Sequence, residues 1–117
     1  MNSKPARLQV FKRAQIQGKV FIHDEDQLFQ APIGNISAGG LFLDEVSELA
    51  LGSTVRVVIK ARGLNQPVQA TGKIVRVEHA KSRTGLAVEF TSISRQCRED
   101  IQNCVHEARM RDALKVA

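Results

Sequence analysis

The sequence predicts a mostly β chain, a sandwich or barrel, that closes with a single amphipathic helix. Three observations carry this. Apolar and polar residues alternate in short runs up to about residue 93, the period-two signature of half-buried strands. Those runs recur at intervals of roughly 8–12 residues between clusters of Gly, Asn, Ser and Pro, the spacing of antiparallel strands joined by tight turns. After Ser94 the period changes to that of a helix.

The elements follow in order. Residues 1–8 are polar and basic, contain Pro5, and are expected to form a flexible arm. Residues 9–117 are read as one domain. From Ile16 the chain alternates, with Ile16, Gly18, Val20 and Ile22 on one face and Gln17, Lys19, Phe21 and His23 on the other. Asp24-Glu25-Asp26 reads as a solvated turn, Leu28 to Ile33 as a second extended run, and Asn35 to Gly40 as a turn cluster. Leu41-Phe42-Leu43 makes a short strand, and Asp44 to Leu51 a longer connection ending at Gly52-Ser53. Thr54 to Ala61 is the strongest strand, with Val55, Val57, Ile59 and Ala61 on one face. Gly63 to Pro67 is a hairpin loop, and Val68 to Glu78 a long strand in which Gly72 marks a bend or bulge. Lys81 to Thr84 closes another hairpin, and Gly85 to Phe90 is the last strand.

A helix is expected over about residues 94–114. Cys97, Ile101, Cys104, Val105 and Ala108 fall on one face of it. Glu99 and Asp100 near its start and Arg109, Arg111 and Lys115 near its end suit the helix dipole, while Arg95 and Arg98 run against it. The helix would cover an open face or edge of the sheet.

Composition bounds the function. The 117 residues suffice for one core, and 43% hydrophobic with 25% charged residues excludes intrinsic disorder and collagen-like architectures. No apolar run reaches the roughly 18–20 residues of a membrane span, and the N-terminal residues hold no signal-peptide core; membrane insertion is not expected. Cys97 and Cys104 would lie about 10.5 Å apart along one helix, too far for a disulfide. A reduced, cytoplasmic protein is the expectation.

Seventeen Lys and Arg against twelve Asp and Glu give a net charge of +5. Five of the basic residues, Lys4, Arg7, Lys12, Arg13 and Lys19, fall within residues 1–23, where there is no carboxylate. The other twelve balance the twelve acids, so the excess belongs to the N-terminal segment.

Catalysis finds little support. His23 ends a strand beside Asp24, His79 sits at a hairpin mouth, and His106 falls off the apolar helix face. H-E-x-x-H, Cys-x-x-Cys and G-x-S-x-G motifs are missing. Cys97 and Cys104 read as core thiols rather than metal ligands, so neither an enzyme nor a metal or cofactor site is expected. The informative stretch is Asn35-x-Ser37-x-x-Gly40, with Gly39 beside Gly40. Two adjacent glycines let a backbone approach a ligand closely or take φ > 0. Asn35 and Ser37, two residues apart in extended chain, point to one side. Taken alone this is an ordinary turn; with the basic segment upstream it reads as an anion or nucleotide site.

In these motifs the sequence resembles the PilZ domain, the bacterial receptor module for cyclic di-GMP. Asn35-Ile36-Ser37-Ala38-Gly39-Gly40-Leu41-Phe42-Leu43 fits the family's Asp/Asn-x-Ser-x-x-Gly motif and the strand after it. Gly72 to Val77 and Gly85 to Phe90 fit its later Gly-x-Val and Gly-x-x-x-x-Phe strand patterns. The resemblance covers about residues 7–105 and implies a six-stranded antiparallel β-barrel with a C-terminal α-helix. The chain departs from the family's Arg-x-x-x-Arg motif. With Arg13 as the second arginine, Gln9 takes the first slot; with Arg13 as the first, Gln17 takes the second.

The resemblance implies a non-enzymatic module that binds cyclic di-GMP and passes the signal to a partner protein, in a process such as motility, exopolysaccharide or biofilm output. The implied ligand residues are Gln9, Lys12, Arg13, Asn35, Ser37, Gly39 and Gly40. Arg13 would pair with a phosphate or a guanine edge, Asn35 and Ser37 would hydrogen-bond the ligand, and Lys12 would add charge that a planar guanidinium supplies better. Two alternatives stand beside this. One is a degenerate PilZ module that no longer binds the nucleotide and acts as a protein–protein adaptor. The other is a small basic barrel that binds nucleic acid, against which stand the neutral body and the scarcity of aromatic residues (five Phe, no Trp, no Tyr).

Overall fold

A computed structural model describes residues 11–25, 27–44, 46, 49–80 and 83–116. The expected flexible arm, residues 1–8, lies outside them, as do Gln9 and the tip of the 81–84 hairpin at Lys81 and Ser82.

Six strands and one helix follow in order: β1 Gly18–Asp24, β2 Gln27–Ser37, β3 Gly40–Leu43, β4 Thr54–Ala61, β5 Val68–Ala80, β6 Arg83–Ile93 and α1 Arg95–Val116. Every strand pairing is antiparallel, and the strands close into a barrel in the order β1-β2-β3-β6-β5-β4. Closure pairs β4 with β1, Val20 opposite Ile59 and Ile22 opposite Val57, so among the described residues no edge strand is left to template association.

The alternation decides which face goes in. Val20 and Ile22 of β1, and Val55, Val57 and Ile59 of β4, are buried. Their neighbours Lys19, Arg56 and Lys60 are exposed. Leu41 and Leu43, Val68 and Ile74, and Leu86, Val88 and Phe90 add the inward faces of β3, β5 and β6. From α1, Ile101, Cys104, Val105 and Ala108 join the same core, the face that the sequence spacing picked out. Each fully buried Val, Leu or Ile contributes about 1.5–3 kcal/mol of transfer free energy. Cys104 Sγ also donates to the Arg62 carbonyl at 3.1 Å, tying α1 to the β4–β5 loop.

Several boundaries differ from expectation. Asn35 to Ser37 belong to β2, and the turn shrinks to Ala38-Gly39. Pairing decides this: Asn35 lies opposite Phe42, and Ile36 exchanges two backbone bonds with Ala14, at 3.1 and 3.0 Å. Strands β5 and β6 outrun their alternation because they pair with each other from Ala70↔Ile93 to Ala80↔Arg83. The irregularity expected at Gly72 is present, as a register shift between Thr71 and Gly72. Ile16 is buried but precedes β1.

The helix begins at Arg95, capped by Ser94, whose Oγ accepts from the Cys97 N–H at 3.0 Å. Its first turn contains no acidic residue, so Glu99 and Asp100 fall too late to serve the N-terminal dipole. Arg95 and Arg98 occupy that turn instead, the unfavourable sign for a helix start.

Candidate functional site

The site grows from the pairing of residues 13–14 with the end of β2. The isolated bridge Ala14↔Ile36 lays the segment before β1 along β2. That puts Arg13, one residue before the bridge, against Asn35 and Ser37. Arg13 Nη1 donates to Asn35 Oδ1 at 2.7 Å. From the other side α1 holds the same segment, with Arg109 Nη1 donating to the Arg13 carbonyl at 3.1 Å.

Arg13, Asn35, Ser37, Gly39 and Gly40 all line one open groove of about 700 Å³. Five of the seven residues named from the sequence therefore meet, although Arg13 and Asn35 are 22 positions apart. Lys12 does not join them. It is exposed and lines a neighbouring groove of about 500 Å³ with His106, Arg109 and Met110 of α1. Adjacent residues of an extended segment point to opposite sides, which is why Lys12 and Arg13 part.

Gly39 and Gly40 do not take positive φ. Positive φ occurs among the described glycines at Gly52 and Gly63 only. A Cβ on Gly40 would overlap the Val88 carbonyl oxygen of β6, so this glycine admits the close β3–β6 contact. A Cβ on Gly39 would lie 2.8 Å from the Phe11 ring. Ser37 is 2% exposed. Its Oγ accepts from the Gly39 N–H at 3.2 Å and donates to the Gly40 carbonyl at 3.4 Å. The hydroxyl thus shapes the turn that forms the groove floor.

The groove contains further charged groups that local sequence reading missed. Arg76 from β5, Glu89 from β6 and Arg98 from α1 line it, with Phe11, Phe42 and Phe90. Arg76 is engaged: Nε donates to Glu78 Oε2 at 2.6 Å, and its guanidinium lies 6.0 Å from the Phe42 centroid. Arg98 is half-buried, with its guanidinium 5.7 Å from the Phe11 centroid. Its Nε is buried and has no hydrogen-bond acceptor among the described residues, an arrangement that costs about 1–3 kcal/mol. The one signal that local reading offered for it was a cation on the wrong end of a helix.

Three arginines and one glutamate make the groove cationic, with three aromatic rings, Phe11, Phe42 and Phe90, in its lining. Such a surface suits a planar anion: guanidinium forks for phosphate oxygens and guanine acceptors, rings for bases. Among the described residues no group of three His, Cys, Asp or Glu is placed to hold a metal. No helix of the described residues is long and apolar enough to cross a membrane.

The chain matches the PilZ domain family model over residues 8–107. Among solved structures it is similar to the Bacillus subtilis inhibitor of motility MotI/DgrA, at TM-score 0.76 and 15% identity, over 92% of this chain and 54% of that one. It is also similar to the PilZ domain of Escherichia coli YcgR with cyclic di-GMP, at TM-score 0.71 and 11% identity, over 94% of this chain and 98% of that one. YcgR in a longer form, again in complex with cyclic di-GMP, superposes at TM-score 0.77 and 11% identity, over 94% of this chain and 50% of that one. The chain thus spans about half the length of MotI/DgrA and of the longer YcgR. At these identities the likeness is one of fold. No curated protein matches the chain in sequence.

Proposed function

The chain belongs to the PilZ domain family, and from that premise we propose that it is a non-enzymatic signalling module that binds cyclic di-GMP in the Arg13–Asn35–Ser37 groove and passes the signal to a partner protein. The observation that carries the reading is the junction at Ala14↔Ile36. It brings the motif arginine, 2.7 Å from Asn35, into one groove with the Asn-x-Ser-x-x-Gly turn.

The chemistry follows from the groups present. The bond to Asn35 uses one of the five N–H donors of Arg13, leaving the rest of the fork for a phosphate or for guanine O6 and N7. The Asn35 side-chain NH2 is a donor toward the ligand, while its oxygen is already shared with Arg13. Ser37 acts through the turn it braces. Ligand capture at Arg13 would tighten the segment that Arg109 holds to α1, so the helix is the element through which a partner senses occupancy.

A second reading is an adaptor that acts by protein contact without the nucleotide. Gln9 in the first motif slot favours it, and exposed Met110 and Leu114 on α1 would then meet the partner.

Calorimetric titration of cyclic di-GMP into the wild type and Arg13→Ala separates the two. Saturable binding by the wild type, weakened in Arg13→Ala by on the order of 2–5 kcal/mol, supports the receptor reading. A silent wild type sinks it. Steeply salt-dependent binding to DNA or RNA that ignores Arg13 would favour the nucleic-acid barrel instead.

A further inference from the structure

We propose that Arg98, in the first turn of α1, supplies the second guanidinium of the ligand groove, taking the role left open by Gln9 and contacting a phosphate of the bound cyclic dinucleotide. The inference rests on the reading of the groove as a cyclic di-GMP site.

Four observations converge on Arg98. It lines the same groove as Arg13, Asn35 and Ser37. Its Nε is buried with no acceptor among the described residues, a donor that a ligand oxygen would satisfy. It sits at a helix start whose first turn contains no acidic residue, so its positive charge is opposed by the helix dipole. Its guanidinium lies 5.7 Å from the centroid of Phe11, a ring that lines the same groove.

The other groove arginines differ. Arg13 is bonded to Asn35, and Arg76 Nε is held by Glu78. The charges facing Arg98 across the groove are Arg13, Arg76 and the carboxylate of Glu89. Two like charges to one opposite charge raise the cost of an empty groove and the gain from a dianionic ligand. A phosphate lying between Arg13 and Arg98 would bind segment, barrel and helix together. An arginine contributed by the helix thus meets the need that the N-terminal motif leaves, from a position 89 residues away from Gln9 in the chain.

The test is calorimetric titration of cyclic di-GMP into the full chain as wild type, Arg98→Gln, Arg98→Lys and Arg95→Ala. Arg95 lies in the same helical turn, is exposed and is not a groove residue, so its loss matches the change in net charge. Arg98→Gln should weaken binding about 10- to 100-fold, Arg98→Lys should restore only part of it because an ammonium cannot fork, and Arg95→Ala should stay within about twofold of wild type. A wild type that binds while Arg98→Gln binds equally well overturns the inference and leaves the receptor reading standing, as does an equal loss in Arg95→Ala. A wild type that does not bind overturns both. If Arg98→Gln fails to fold by circular dichroism, the Arg98 Nε–H resonance of the wild type decides. A shift on saturation with cyclic di-GMP supports the contact, and an unmoved resonance overturns it.

Discussion

Two walls of the barrel carry comparable positive charge and use it in opposite ways. On the outer face of β1 and β4, Lys19 stands directly opposite Lys60 and His23 opposite Arg56. These charges find partners within the wall. The Lys19 and Lys60 ammonium groups lie 5.8 and 5.4 Å from the Phe21 centroid, and Arg56 donates to His23 Nδ1 at 2.8 Å. On the opposite side, where β2, β3, β5 and β6 meet residues 11–14 and α1, the cations converge on a groove, and one of them has a buried nitrogen without a partner among the described residues. The first wall is a surface that satisfies itself. The second gathers its cations on one groove, and that convergence is the feature on which the proposed ligand site rests.

The largest expected effect that would break this contrast is on the groove floor. Gly40→Ala drives a methyl into the Val88 carbonyl, and should cost about 2–3 kcal/mol or more as β3 and β6 move apart. A urea midpoint within error of wild type would disprove the close β3–β6 approach. Ser37→Ala should cost about 1–2 kcal/mol by removing two hydrogen bonds at a buried turn, read from the same curves. On the self-satisfied wall, Lys19→Ala and Lys60→Ala should each change stability by no more than about 0.5 kcal/mol. There the loss of a ring contact is offset by relief of the Lys–Lys pair, and cyclic di-GMP affinity should stay unchanged. A marked loss of affinity in either would mean that the two walls are not distinct.

The smallest effect concerns α1, which closes the groove side. Burial pushes the Cys104 thiol up from its ordinary value of 9.0, with Glu107 adding to the rise and Arg111 opposing it. A raised folded-state value favours the protonated thiol in the fold. Its contribution is therefore full below about pH 9 and is lost as pH rises through the folded-state value. Urea midpoints measured from pH 8 to 11 should fall at the alkaline end more for wild type than for Cys104→Ala. At pH 8, the half-exposed Cys97 should react with a thiol reagent before Cys104 does.

Much of the barrel was legible in the chain because strand burial writes itself locally. Val55, Val57 and Ile59 alternate with exposed Arg56 and Lys60, and the barrel buries that face. The helix was legible for the same reason through Ile101, Cys104, Val105 and Ala108. Strand ends were not, because a ladder continues as far as its partner does. Residues 35–37 look like turn residues and become strand by pairing with Ala14 and Phe42. The basic cluster of residues 1–23 misled in a similar way. Its described members scatter, Lys12 to the helix groove, Arg13 to the groove with Asn35 and Lys19 to the opposite wall.

What the sequence determined by itself was the alternation, the change of period after Ser94 and the Asn35–Gly40 motif, each of which depends on neighbours a few residues apart. What only the tertiary structure decided was which cations share a space. Arg13, Arg76 and Arg98 come from before β1, from β5 and from α1, and line one groove once the barrel has closed and α1 has packed onto it. Electrostatic partnership depends on distance through space, and a closed barrel sets those distances by strand register and helix docking, which a linear count of charges does not contain.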